Sequence, residues 1–214
     1  MSKFLDFSKK IYNSAASFIK RNDDIFRPIC VLTVICLVVA VCLSATNLIT
    51  KDKIASMEKA AANAAMEALI TAEDYQKADL SGSDAELFVA KNGEEIKGYI
   101  IKTQNRGYGG EISIMTAVSA DKKILGVKIL SAADETPGLG QNITKENFYS
   151  QYIGKEEKIT VVKGGADSDN NEINAVTGAT ISSKAVTGAV NKAFDCLNDY
   201  LKTVETETQG EVQQ

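Results

Sequence analysis

The chain has no histidine among its 214 residues. It therefore lacks the commonest general base and the commonest metal ligand. A Ser-His-Asp triad and a His-ligated zinc site are both excluded. Cysteine is scarce: Cys30, Cys36, Cys42 and Cys196. The first three lie six apart in an apolar run and form no CxxC pair, so neither an iron–sulfur cluster nor a zinc ribbon is supported. All four read as small apolar residues, and Cys196 has no downstream partner for an intramolecular disulfide. Basic charge is short after residue 50. Residues 1–50 sum to +3 and residues 51–214 to −7. An acidic main body gives no footprint for nucleic acid, and no metal is expected. Redox or group-transfer chemistry must then rest on other residues or on a bound cofactor.

Long uncharged runs are absent except for one. Residues 28–49 read PICVLTVICLVVAVCLSATNLI. At about 1.5 Å per residue this stretch spans roughly 30 Å, the thickness of a bilayer core. It is long and starts late for a signal-peptide h-region, so a retained anchor is expected. Lys3, Lys9, Lys10, Lys20, Arg21 and Arg27 precede it, whereas only Lys51 and Lys53 follow closely, with Asp52 between them. By the positive-inside rule the N-terminus is cytoplasmic and the acidic body lies across the membrane. Phe4, Phe7, Ile11, Ala15 and Phe18 make an apolar stripe suited to a membrane surface, although a plain solvated tail fits nearly as well.

The organisation expected is a cytoplasmic segment (1–27), a transmembrane helix (28–49), a helical connector (50–80), a folded domain (81–204) and a disordered tail (205–214). In the connector, Ile54, Met57, Ala61, Ala65 and Leu69 recur at helical spacing. Ser81-Gly82-Ser83-Asp84 is a turn signal. Residues 86–91 and 96–103 read as strands joined at Asn92-Gly93. Ile112, Ile114, Thr116 and Val118 alternate, and so do Leu125, Val127 and Ile129 beyond a turn at Asp121-Lys122. These two runs are expected to pair antiparallel. Residues 145–152 suggest a short helix capped by Thr144, and 158–163 a further strand. Val186, Val190, Ala193, Leu197 and Leu201 predict an amphipathic helix of about 25 residues starting near Ser182. Strands clustered between helices predict an α+β domain with an antiparallel sheet and flanking helices.

One segment concentrates chemistry. Residues 174–184 read NAVTGATISSK. Gly178 and Ala179 let backbone approach a ligand closely, and Thr177, Thr180, Ser182 and Ser183 supply four hydroxyls. A helix start adds unpaired N–H groups and the positive end of a dipole, which together suit a phosphate. A simple N-cap explains the same residues.

Thr177-Gly178-Ala179-Thr180-Ile181-Ser182 resembles the flavinylation motif of the FMN-binding domain family, [S/T]-G-A-T-x-[S/T]. The resemblance implies that a flavin transferase takes FMN from FAD and links its phosphate to Ser182, with Thr180 the second choice. The family usually has Thr at the acceptor position, and Asp where this chain has Asn174. Gly107-Tyr108-Gly109-Gly110 and Glu135-Thr136-Pro137-Gly138-Leu139-Gly140, in this order before the TGAT turn, are similar to the G subunit of the Rnf electron-transport complex. That resemblance implies an electron-carrying flavoprotein subunit with covalent FMN, not a complete enzyme alone, in a complex that couples electron transfer between ferredoxin and NAD to ion translocation. Its implied partners are the other membrane subunits, the second flavinylated subunit and the flavin transferase, and its implied location is the inner (plasma) membrane. Tyr108, Glu135, Thr136, Gly138 and Leu139 would join Thr177, Gly178, Ala179, Thr180 and Ser182 around the flavin, with the glycines of 107–110 and 138–140 letting backbone approach its ring. Two alternatives stand beside this reading: the C subunit of the sodium-pumping NADH:quinone reductase, and an extracytoplasmic binding module that holds no flavin.

Overall fold

A computed structural model describes residues 23–80, 84–156 and 158–211. The amphipathic stripe of 3–20, residues 81–83 of the proposed turn and the last three residues of the tail lie outside the described residues. The chain divides into two compact units, Met1–Ser56 and Met57–Gln214.

In the first unit the chain is helical throughout its described length. Helix α1 runs Asp23–Leu69, so span and connector are one uninterrupted element. Among the described residues it is the one helix long and apolar enough to cross a membrane, and its apolar side chains from Ile29 to Ile49 are exposed. Two of its hydroxyls bond back to the helix: Thr33 donates to the Ile29 carbonyl at 2.8 Å and Thr46 to the Cys42 carbonyl at 2.9 Å. Such back-bonding is what hydroxyls need where water is absent.

The second unit is built on a five-stranded antiparallel meander: β1 (Asp74–Ala78), β2 (Glu86–Asn92), β3 (Glu95–Arg106), β4 (Glu111–Val118) and β5 (Ile124–Ser131), in that spatial order. The expected hairpin is present, with Asn92 opposite Glu95 and Gly93 at φ +60° in the two-residue loop. The two alternating runs pair as β4 and β5. One strand was not expected: β1 falls inside the anticipated helical connector, because α1 stops at Leu69 and the chain turns into the sheet.

Ile112, Ile114, Thr116 and Val118 are all fully buried on one face. The alternation in β5 is broken, however. Val118 pairs with Ile124 and Ala117 with Gly126, which leaves Leu125 in a bulge. A bulged residue shifts the faces by one. Ile124 and Val127 consequently enter the core while Leu125 is 43% exposed.

After β5 come a 3-10 turn (Gly140–Thr144), a one-turn helix α2 (Glu146–Tyr149) and a second 3-10 turn (Ser150–Tyr152). Thr144 does not cap this helix; its hydroxyl donates back to the Gln141 carbonyl at 2.8 Å. Lys145 holds the cap position without a side-chain bond. Short strands β6 (Thr160–Val162) and β7 (Glu172–Asn174) pair in parallel.

The closing helix α3 runs Thr180–Glu211, 32 residues rather than about 25, so 205–211 continue the helix instead of forming a loose tail. Its predicted stripe is real: Val186, Val190, Ala193 and Leu197 are fully buried and Leu201 is half-buried. Small residues let it lie close to β3. Thr103 donates to the Ala189 carbonyl at 2.9 Å and Asn105 to that of Ala185 at 3.2 Å. A Cβ at Gly188 would collide with the Asn105 amide. The opposite face of the sheet packs Ile100, Met115 and Ala117 against Ala65, Met66 and Ile70. The fold is therefore α+β, as expected, with helices on both faces of an antiparallel sheet.

Candidate functional site

Two turns of the same design face each other at the start of α3. In Thr136-Pro137-Gly138-Leu139, the Leu139 N–H donates to the Thr136 carbonyl at 3.2 Å, with Gly138 at φ +75°. In Val176-Thr177-Gly178-Ala179, the Ala179 N–H donates to the Val176 carbonyl at 2.9 Å, with Gly178 at φ +77°. Both have glycine at positive φ in the third place, where type II turns require it, and the first has the favoured proline in the second. A Cβ on Gly178 would sit 3.1 Å from the Leu139 side chain, so the second glycine also lets the turns close on each other.

Between the turns lies a cavity of 560 Å³ lined by Tyr108, Glu135, Thr136, Leu139, Gly140, Gly178, Ala179, Thr180, Ile181 and Ser182. That size is typical of small-molecule sites, roughly 300–1,000 Å³. Its rim is apolar and open: Tyr108 is 70% exposed, Ile181 56% and Leu139 47%. The first N–H groups of α3 have no partner within the helix, so its N-terminus offers donors and a positive dipole end.

Eight of the ten residues singled out from the sequence line this cavity; Thr177 and Gly138 do not. Thr177 turns to a separate cleft lined with Asn142, Lys145, Asn147 and Gln151, and Gly138 serves its turn from open space. Gly140, expected at the ring with its neighbours of 138–140, is a lining residue, and so is Ile181, for which no role was expected.

The four hydroxyls part company. Ser183 is committed to the scaffold: its Oγ accepts from the Val176 N–H at 3.0 Å and donates to the Ala179 carbonyl at 2.9 Å. The next turn continues the network. Thr187 donates to the Ser183 carbonyl at 3.0 Å, and its hydroxyl shares a 2.7 Å hydrogen bond with Tyr152. Burial pushes the Tyr152 phenol well above its ordinary range, an effect the Thr187 bond opposes. Ser182 instead points toward the 134–140 loop, and its Oγ donates to Glu135 Oε2 at 2.6 Å. Both residues are almost fully buried, Ser182 at 1% exposure and Glu135 at 2%.

The glycines of 107–110 do something beyond what was expected. A Cβ on Gly107 would strike Glu135 Oε1, one on Gly109 the Asp134 carbonyl oxygen, and one on Gly110 the Asp134 side chain. They make room for residues 134–135. The Gly109 N–H also donates to Glu135 Oε1 at 3.1 Å. Asn174 serves the scaffold: its Oδ1 accepts from the Ala166 N–H at 3.1 Å, an acceptor role that an Asp carboxylate fills equally well.

A model of the FMN-binding domain family matches residues 107–195, which encloses every residue lining the cavity. The G subunit of the proton-translocating ferredoxin:NAD+ oxidoreductase complex of Clostridium ljungdahlii is 33% identical over 177 residues, covering 82% of this chain and 93% of that protein. The chain belongs to the G-subunit family of ion-translocating oxidoreductase complexes. This G-type chain is also 40% identical over 120 residues to the G subunit of the Na+-translocating ferredoxin:NAD+ oxidoreductase complex of Acetobacterium woodii, covering 55% of the chain and 57% of that relative. Among solved structures, the C subunit of the Na+-translocating NADH-quinone reductase of Parabacteroides distasonis is similar at 28% identity, with a TM-score of 0.48 over 55% of this chain and 62% of that one. The family match gives the cofactor: this is an FMN-binding domain of an electron-transfer subunit.

Proposed function

We propose that the chain carries FMN as a phosphoester on Ser182 and relays electrons within an Rnf-type complex. The observation that carries this reading is the position of the Ser182 hydroxyl. It lies at the mouth of α3, on the wall of a cavity whose rim is Tyr108, Leu139 and Ile181. The free N–H groups of the first helical turn suit the phosphate. The apolar rim suits the flat face of the ring, which aromatic and aliphatic side chains cover at little entropic cost. Thr136 and Gly140 line the same cavity. Bound flavin supplies one- and two-electron redox chemistry; the protein's share is to hold, orient and tune it. A chain without histidine or cysteine clusters needs nothing further to carry electrons.

Thr180, half-buried beside the same cavity, is the second acceptor. Partners in this reading are the membrane subunits, the second flavinylated subunit and a flavin transferase. The orientation is N-terminus cytoplasmic and main domain extracytoplasmic, in the plasma membrane, with sodium or protons as the coupling ion. In favour of the G subunit over the C subunit of the quinone reductase is the near full-length similarity to a G-type relative.

The test is expression with a flavin transferase, followed by denaturing gel fluorescence and intact mass. The wild-type chain is expected to give a fluorescent band and a mass increase of one FMN less water. Ser182→Ala is expected to lose both. A band that survives in Ser182→Ala and disappears in Thr180→Ala moves the linkage to Thr180, and an unmodified wild-type chain removes the covalent reading.

A further inference from the structure

We propose that Glu135 is the proton acceptor for Ser182 when the flavin phosphoester is made. This rests on the assignment of Ser182 as the acceptor hydroxyl and adds a second residue to that reaction. A serine hydroxyl is a weak nucleophile until a base takes its proton, and this chain has no histidine to do so. Of the four hydroxyls in the segment, Ser182 is the one that donates to a carboxylate, at 2.6 Å. Ser183 is held by backbone groups on both sides, and Thr177 faces another cleft. The carboxylate thus distinguishes one hydroxyl from its neighbours in a run of small polar residues.

The surroundings of Glu135 are built to keep that contact. Its other oxygen accepts the Gly109 N–H at 3.1 Å. Glycine stands at 107 and 140, where a Cβ would strike Oε1 and Oε2 respectively. Among the described residues no lysine or arginine lies within ion-pair distance of Glu135. An ion pair would hold its charge away from the hydroxyl. A hydroxyl and an amide as partners leave the carboxylate able to receive a proton at the oxygen already in contact. A Cβ at residue 140 would also lie 3.1 Å from Ser182 Oγ, so glycine there keeps a side chain from crowding the acceptor oxygen.

The step balances with flavin adenine dinucleotide as donor. The Ser182 O–H bond breaks and its proton goes to Glu135 Oε2. Oγ forms a bond to the phosphorus on the FMN side of the pyrophosphate. The bond from that phosphorus to the bridging oxygen breaks, and AMP leaves with the electron pair. No oxidant or reductant enters.

The test follows attachment over time on the full-length chain in detergent, with a flavin transferase and flavin adenine dinucleotide, by gel fluorescence and intact mass. Glu135→Gln keeps the shape of the side chain and removes the base. It is expected to slow attachment by roughly a hundredfold or more near neutral pH, the usual scale for a positioned base. The deficit is expected to shrink as pH rises, because hydroxide then takes the proton instead. Gly107→Ala keeps the carboxylate but drives a methyl into its Oε1, away from Ser182, and is expected to slow attachment in the same pH-dependent way. It decides the matter if Glu135→Gln does not fold. Attachment by Glu135→Gln at the wild-type rate, or a deficit of equal size at every pH, overturns the role given to Glu135 while leaving Ser182 as acceptor. A wild-type chain that takes no flavin, or Ser182→Ala that still takes it, overturns the acceptor assignment and this proposal together.

Discussion

Glu86 lies on β2 with about 40% of its side chain exposed, between Lys77 of β1 at 2.9 Å and Lys102 of β3 at 3.4 Å. Glu135 lies in a loop at 2% exposure, between a serine hydroxyl and a backbone N–H. The first carboxylate sits in water, facing opposite charges. Its ionisation is pulled below the ordinary value mainly by the Lys77 hydrogen bond, with desolvation opposing. Such exposed pairs add little, because water already screens them. The second has given up water for two neutral donors and is boxed in by glycines. One arrangement trims the sheet; the other places a hydrogen-bonded hydroxyl and carboxylate on the wall of a cavity. Two carboxylates of one residue type are thus set apart by their surroundings alone: the exposed one trades water for screened charge, and the buried one depends on two hydrogen bonds.

The contrast breaks most readily by truncation. Glu135→Ala leaves the Ser182 hydroxyl and the Gly109 N–H without their acceptor, and each orphaned buried group costs about 1–3 kcal/mol. Thermal unfolding is expected to show a loss of roughly 3 kcal/mol, against about 0.5 kcal/mol or less for Glu86→Ala. Equal losses would erase the difference. The glycine box sharpens it next. Gly109→Ala drives a methyl into the Asp134 carbonyl and is expected to cost about 1–3 kcal/mol. Gly138→Ala meets open space and strains only its positive φ, so about 1 kcal/mol is expected.

Farther from the cavity, Tyr152→Phe removes a buried hydroxyl while Thr187 keeps the Ser183 carbonyl. A loss of about 1 kcal/mol is expected by the same measurement. It carries a pH signature. The folded phenol is held protonated, so wild-type stability falls as pH climbs past about 10, where the unfolded chain's phenol ionises. Tyr152→Phe is expected to flatten that decline. The smallest effect belongs to Glu86. Because its folded ionisation is lowered, its contribution is present above about pH 4.5 and is lost as pH falls through the folded value. Glu86→Gln is therefore expected to differ slightly from wild type at neutral pH and to converge with it in acid.

Much of the fold was legible because it follows periodicity. The apolar run, the Asn92-Gly93 hairpin, the β4 alternation and the stripe of α3 each repeat at the spacing their backbone demands. Strand β1 was not, since DYQKA is mostly exposed at the edge of the sheet and lacks an alternating apolar face. The Leu125 bulge was hidden for a different reason: alternation reads the same on either side of a one-residue slip. In the site, TGAT and ETPGLG were legible as motifs because turns need glycine and helix starts need hydroxyls. The contact between Ser182 and Glu135 was not, since 47 residues separate them and no local rule joins them. The glycines of 107–110 were read as serving a ligand; only packing reveals that they accommodate Asp134 and Glu135.

The adjacent serines at the head of α3 also make the helix a rotary selector. Successive side chains differ by about 100° around an α-helix, so Ser182 meets the loop carboxylate while Ser183 ties down the turn behind it. Deleting one residue from the turn between Val176 and Ala179 would advance Ser183 into the cavity and withdraw the backbone tie in the same motion. The length of that turn, as much as the chemistry of its side chains, decides which oxygen meets the loop carboxylate.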